Sequence, residues 1–245
     1  VAVDEGYIEK LSWTYATWMH FKKEMRSMPL VVLFDEDSLN ESSKSFDVFS
    51  KHEGGLTLVP WRMDNAESQR EKMLSSLVFG IPDVVKTPWY LKIDADTIAN
   101  SNRKWIDPGW FTKVGGERPA FVTNSWNYTK PAIWIDQLNE WADKVDQLKN
   151  YPDVEYTISD DGKRAYHSRI ISWLFFGNTE WTKNVVSLLD EKRMPVPSQD
   201  TFLHFCAQRS QHHYVTARMS RNGWGHAGRK KTHWIANECM RLING

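Results

Sequence analysis

An α/β chain built on a mostly parallel sheet is the architecture this sequence predicts, and three observations predict it. Apolar runs of strand length alternate with segments of helical period. Gly, Pro or acidic residues punctuate the runs. The strand–helix pair recurs three times before a fourth apolar run, a pattern that calls for right-handed crossovers and parallel strands.

Taken in order, Val1-Ala2-Val3 starts as a strand, and residues 7–26 have helical spacing through Ile8, Leu11, Tyr15, Trp18 and Met19. Met28-Pro29 stops that helix, and residues 30–34 read as a buried strand. A short helix over 43–52 is closed by Gly54-Gly55. Residues 56–61 form the third strand, and 66–80 are helical with Met73, Leu74, Leu77 and Val78 as the apolar stripe. Pro88 then leads into a fourth strand ending at Asp94. After Ala99 the alternation breaks. Strands are expected at 120–124 and 170–176, with a Trp-bearing helix over 134–148 and a turn at Ser159-Asp160-Asp161-Gly162 between them. Helices over 179–190 and 200–208 and a strand over 213–217 follow. The reading is one compact unit of two lobes, 1–100 and 101–245, without a Gly/Ser linker.

Composition narrows the function. With 41% hydrophobic and 25% charged residues in 245, the chain is an ordinary globular one. Its formal net charge is +0, so no global field draws it to nucleic acid or an anionic membrane. Cys206 and Cys239 are read as two buried thiols rather than a bridge. No apolar run approaches the roughly 20 residues of a membrane span. A signal peptide is also lacking, but the chain starts at Val1 rather than Met, which leaves room for a removed targeting or anchoring segment. The location stays open, with cytoplasmic favoured and membrane association through such a segment as the alternative. Thirteen tryptophans leave two readings open, sugar stacking or core packing.

The chemistry concentrates in Trp89-Tyr90-Leu91-Lys92-Ile93-Asp94-Ala95-Asp96-Thr97. An apolar strand ends there in two carboxylates one residue apart, and strand carboxyl ends face the ligand crevice of an α/β sheet. Hard oxygen ligands suit Mg²⁺ or Mn²⁺, and such a cation suits a diphosphate. The pattern is not unique, because Asp35-Glu36-Asp37 also ends a strand, and one of the two pairs could serve only as a turn former. Strand order separates them. The second strand's end suits gripping a base or ribose, and the fourth strand's end, between the lobes, suits a catalytic metal.

Strand order, the acidic residues after the second strand, the D-x-D after the fourth and the helix Ser68-Gln69-Arg70-Glu71-Lys72-Met73 together resemble the glycosyltransferases of the GT-A fold. The resemblance implies a Rossmann-type, mostly parallel nucleotide-sugar half over 1–100 and a mixed acceptor lobe over 101–245. It also implies Mn²⁺ or Mg²⁺, a nucleoside-diphosphate sugar donor (UDP ahead of GDP) and a hydroxyl acceptor, carbohydrate or other. Asp94 would lie near ribose and metal, Asp96 would ligate the metal, and Asp35 or Asp37 would hold the nucleoside. Arg70 would approach the sugar or diphosphate; the plain alternative is a solvated helix charge.

A third ligand is expected from Trp224-Gly225-His226-Ala227-Gly228-Arg229-Lys230-Lys231-Thr232-His233-Trp234, a glycine-hinged basic stretch. His226 is the first choice and His233 the second. Lys231 would contact phosphate, although Gly228 and Lys231 sit one position early for the pattern of some retaining members. Asp200, at the start of a helix after Pro197-Ser198-Gln199, is either a cap with Ser198 or an acceptor-side carboxylate. As the latter it would act as general base in an inverting enzyme or orient the sugar in a retaining one. Asn124, Ser125 and Trp126 would touch a sugar.

Three rivals remain. A haloacid-dehalogenase-like phosphatase also ends a strand in D-x-D, but after its first strand and with Thr or Val where Ile98 stands. A nucleotidyltransferase would use a similar metal and fold. A non-enzymatic carbohydrate- or nucleotide-binding protein would keep the fold without turnover.

Overall fold

The computed structural model describes residues 1–64, 66, 68–124, 128–167, 173–190, 193–217, 222–226 and 232–244, with backbone alone for 124, 128, 167, 232 and 233. Two compact units make up the chain. The first holds Val1–Gly80, Ile93–Trp105 and Met219–Gly245, and the second Ile81–Lys92 and Ile106–Arg218. The C-terminal segment, expected in the lobe 101–245, thus clusters with the N-terminal unit.

In chain order the elements begin with β1 (Ala2–Val3), α1 (Glu5–Phe21), β2 (Leu30–Asp35), β3 (Leu56–Trp61) and α2 (Gln69–Phe79). Next come α3 (Ile81–Val84), β4 (Trp89–Ile93), β5 (Thr97–Ala99), β6 (Phe121–Asn124), β7 (Tyr128–Pro131) and α4 (Ile133–Ala142). The hairpin strands β8 (Thr157–Ile158) and β9 (Arg164–His167) precede β10 (Leu174–Asn178) and α5 (Thr179–Val186). The chain finishes with α6 (Gln199–Arg209), β11 (Val215–Ala217), β12 (Trp224–His226) and α7 (Thr232–Asn244).

In the first unit β1, β2 and β3 form a parallel sheet, with β2 and β3 in register from Leu30↔Leu56 to Asp35↔Trp61. The fourth parallel strand expected beside them is a correction. Among the described residues, β4 belongs to the second unit's sheet, of order β11-β6-β10-β4. Side chains account for the choice. The Tyr90 hydroxyl meets Thr182 Oγ1 of α5 at 3.0 Å, and a Cβ on Gly177 of β10 would overlap the Tyr90 ring. Local period cannot encode such a partner. The short helix expected over 43–52 is a 3₁₀ turn, Lys44–Phe49, capped by Ser43 accepting from the Ser45 N–H at 3.3 Å.

The helix α1 buries more than one stripe. Leu11 and Trp18 are buried, but so are Lys10, Thr14 and Thr17. Against the first unit's core lies α7, which the sequence reading missed. Its Ile235 and Cys239 pack on Ile98, with Trp13 and Leu242 alongside.

In the second unit, α4 stops at Ala142 rather than 148 because Arg209 at the end of α6 gathers the next segment. The buried guanidinium pairs with Asp143 and with Asp153 at 2.5 Å, and donates to Asn139 Oδ1 at 3.2 Å. The strand expected at 170–176 is β10, four residues later; 170–172 lie outside the described residues. Among the described residues Trp18, Trp61, Trp105, Trp173, Trp181 and Trp224 are buried, so these six serve packing. Both cysteines are free and buried, and burial pushes both thiols up, Cys239 to about 11. Among the described residues, no helix is long and apolar enough to cross a membrane.

Candidate functional site

The apolar strand β4 delivers Asp94 and Asp96 into a tight turn closed by the Thr97 N–H donating to the Asp94 carbonyl at 3.0 Å. Three side chains of α1 hold the backbone of this turn. Thr14 Oγ1 donates to the Ala95 carbonyl at 2.8 Å, Trp18 Nε1 donates to the Thr97 carbonyl at 2.6 Å, and Thr17 Oγ1 accepts from the Ala99 N–H at 3.1 Å. Buried backbone groups need partners. Here a helix face supplies them, which is why a polar stripe lies on its inner side. Thr14 and Thr17 were missed from sequence, where threonines between apolar positions look like a solvated edge.

Opposite the turn, β12 pairs antiparallel with β5 in the register Trp224↔Ala99, Gly225↔Ile98, His226↔Thr97. That register brings His226 Nε2 to 3.1 Å from Asp96 Oδ1 and 4.0 Å from Asp94 Oδ2. One ligand atom from each of Asp94, Asp96 and His226 lies within 4.8 Å of the others. Asp96 is 3% exposed, whereas the His226 side chain is 34% exposed, so the cluster opens to solvent on one side. Burial would raise the Asp96 carboxyl. The His226 hydrogen bond and charge, a backbone N–H and the Lys10 ammonium outweigh burial and hold it below the usual carboxylate range. Two carboxylates and one imidazole are a donor set that fits Mn²⁺ and similar divalent ions.

At the end of β2, Asp35 is buried and Asp37 exposed, and Lys72 of α2 pairs with both. Asp35 also accepts from Gln69 Nε2 at 2.8 Å and from the Asp37 N–H at 3.3 Å. Burial would raise the Asp35 carboxyl, but the hydrogen bonds from Lys72, Gln69, Ser38 and the Asp37 N–H together depress it. A carboxyl with a depressed pKa stabilises the fold above its unfolded pKa of roughly 3.9, and that contribution fades as pH falls through the lower folded value. Lys72→Met is therefore expected to flatten the acid limb of the stability profile, read by denaturant titrations from neutral pH into acid. A limb as steep as in the parent would show that Lys72 does not depress Asp35. Sequence alone does not single out Lys72 among the charges of α2, because its carboxylate partner Asp37 lies 35 residues away. Arg70 itself is exposed on α2.

In the second unit Asp200 is buried near the start of α6. Its Oδ2 lies 3.0 Å from Lys130 Nζ, and its Oδ1 accepts from Ser198 Oγ at 2.7 Å. Ser198, at the N-cap, makes no side-chain cap bond. Lys231, Ser125 and Trp126 lie outside the described residues, as do the side chains of Asn124 and His233.

Neither a family model nor a curated protein matches the sequence. Solved structures do. Core-mannan synthase A (CmsA) of Aspergillus fumigatus, in its Mn/GDP form, superposes with a TM-score of 0.52 at 11% identity, over 89% of this chain and 66% of that one. The galactosyltransferase LgtC, with donor and acceptor sugar analogs, gives 0.48 at 13%, over 99% and 94%. A putative glucose-1-phosphate thymidylyltransferase of Bacillus anthracis, in complex with a sucrose, gives 0.48 at 13%, over 94% and 82%. At such identities the likeness to the mannan synthase speaks to architecture: this chain has a GT-A-like α/β fold.

Proposed function

We propose that the chain is a metal-dependent glycosyltransferase that moves a sugar from a nucleoside-diphosphate sugar to an acceptor hydroxyl. One observation carries the reading: Asp94, Asp96 and His226 converge after β4 with ligand atoms within 4.8 Å. The Mn/GDP form of CmsA, on a similar fold, supports it.

In this reading Asp94, Asp96 and His226 hold the ion. A divalent cation there supplies Lewis acidity toward the oxygens of the departing diphosphate. The imidazole favours Mn²⁺ over Mg²⁺, whose preference is for oxygen. Lys10, whose charge is felt at Asp96, adds positive potential on the donor side. Asp37 is the more accessible of the β2 carboxylates and the better placed to meet a ribose or base, while Lys72 and Gln69 hold Asp35 as its support. Arg70 and Lys231 complete the cationic complement for sugar and phosphate. Asp200 is the acceptor-side carboxylate, a general base if the reaction inverts.

The decisive experiment is calorimetric titration of UDP and of GDP with and without Mn²⁺, followed by a nucleotide-sugar panel with the product anomer read by NMR. Nucleotide binding that appears only with Mn²⁺, followed by sugar transfer, is the expected result. Binding unchanged in EDTA would remove the metal from the mechanism. Hydrolysis of p-nitrophenyl phosphate that is lost in Asp94→Asn would favour the phosphatase, and binding without turnover the inactive protein. His226→Ala is expected to weaken Mn²⁺ roughly 10²-fold and Mg²⁺ less, read as metal activation curves. Equal losses for both ions would take His226 out of the ligand set.

A further inference from the structure

The strands that meet at the metal cluster are distant in sequence, so no hairpin turn sets their register. Each is only three residues long, β5 at Thr97–Ala99 and β12 at Trp224–His226. A one-residue slip would carry His226 away from Asp96 and to the other face. Something beyond the ladder must hold the alignment.

The structure provides it at the end of the ladder away from His226. There the Asn100 N–H donates to the Gly223 carbonyl at 2.8 Å. Beyond that bond sits Lys22, which follows α1 and is 0% exposed. Its Nζ donates to Ser101 O at 2.8 Å, Arg103 O at 3.0 Å and Asn222 O at 2.7 Å. Those contacts match the three protons of an ammonium, and the first two carbonyls follow β5 while the third precedes β12. The same ammonium lies 5.5 Å from the centre of the Trp224 ring, on the first residue of β12. Burying this cation costs free energy that the carbonyls must offset, so a lysine is a demanding way to fill the space. An apolar side chain would leave three partly buried acceptors without it.

We propose that Lys22 is a positioning residue: it ties the exit of β5 to the entry of β12 and so fixes His226 against Asp94 and Asp96. The functional part of this inference rests on reading that cluster as a metal site; the ladder part does not.

The test uses Lys22→Met in the full chain, with Val185→Ala as a control that removes core packing in the second unit. Mn²⁺ affinity by electron paramagnetic resonance, well below either melting temperature, should weaken about tenfold in Lys22→Met and less than twofold in the control. In the His226→Ala background Lys22→Met should cost no further Mn²⁺ affinity, because both changes act through one ligand. Independently of any metal, hydrogen exchange at the β5–β12 amides should quicken at least tenfold while the β2–β3 amides stay protected. Undisturbed exchange in the β5–β12 ladder overturns the proposal. So does a loss of Mn²⁺ affinity that adds fully to that of His226→Ala. Altered exchange with no Mn²⁺ binding in the parent protein upholds the tie and rejects only the metal reading. If Lys22→Met fails to fold, Lys22→Gln, which keeps a donor without the charge, is read by the same measurements.

Discussion

Replacing Asp96 by Asn lowers turnover by at least 10²–10³-fold while the protein stays folded. The two side chains have nearly the same shape, so the buried slot after β4 remains filled. What is lost is charge, at a carboxylate that His226, Lys10 and a backbone N–H hold ionised against the pull of burial. An amide oxygen is a weaker ligand for a hard divalent ion than a carboxylate, and the proposed metal cluster falls from three good donors to two. Asp94→Asn should be nearly as damaging. Initial rates of nucleotide release, with near-UV circular dichroism as the folding control, decide the matter. A folded Asp96→Asn protein with more than about a tenth of the parent rate would end the metal assignment.

Gly223→Ala destabilises the first unit by about 2–4 kcal/mol. Gly223 has φ +86°, a conformation that costs an L-residue roughly 1–2 kcal/mol. A Cβ there would also overlap Ser101 Oγ and lie 2.9 Å from the Ser101 carbonyl oxygen and 3.1 Å from Lys22 Nζ. The hydroxyl can rotate away, but the carbonyl is fixed by its bond from Lys22. Adding Ser101→Ala should therefore restore only part of the loss. Urea denaturation measures both variants. A Gly223→Ala midpoint indistinguishable from the parent's would mean that this strand end tolerates other conformations.

How much of this was readable beforehand depends on the range of the interaction. Leu30–Asp35, Leu56–Trp61 and Trp89–Ile93 stand out as strands because each is a short apolar run bounded by punctuation. The acidic doublet after β4 is legible for the same reason, and His226 because it sits between a glycine and a basic cluster. The sheet that takes β4 is not legible, since Gly177 and Thr182 choose it from far along the chain. Thr14, Thr17 and Lys22 are also hidden. In a helical run they look like a wet face, and only the backbone groups they meet, carbonyls and the Ala99 N–H, reveal otherwise. Lys72 is a middle case, legible as a charge but not as the bridge between Asp35 and Asp37.

The pairing of Thr97 with His226 also has a consequence in time. During synthesis the acidic doublet leaves the ribosome long before its histidine does, and closing so wide a loop is slow. A nascent chain arrested short of Gly223 has no imidazole to set against Asp96, so on the proposed reading the site gains its third ligand only once β12 has been made and paired with β5.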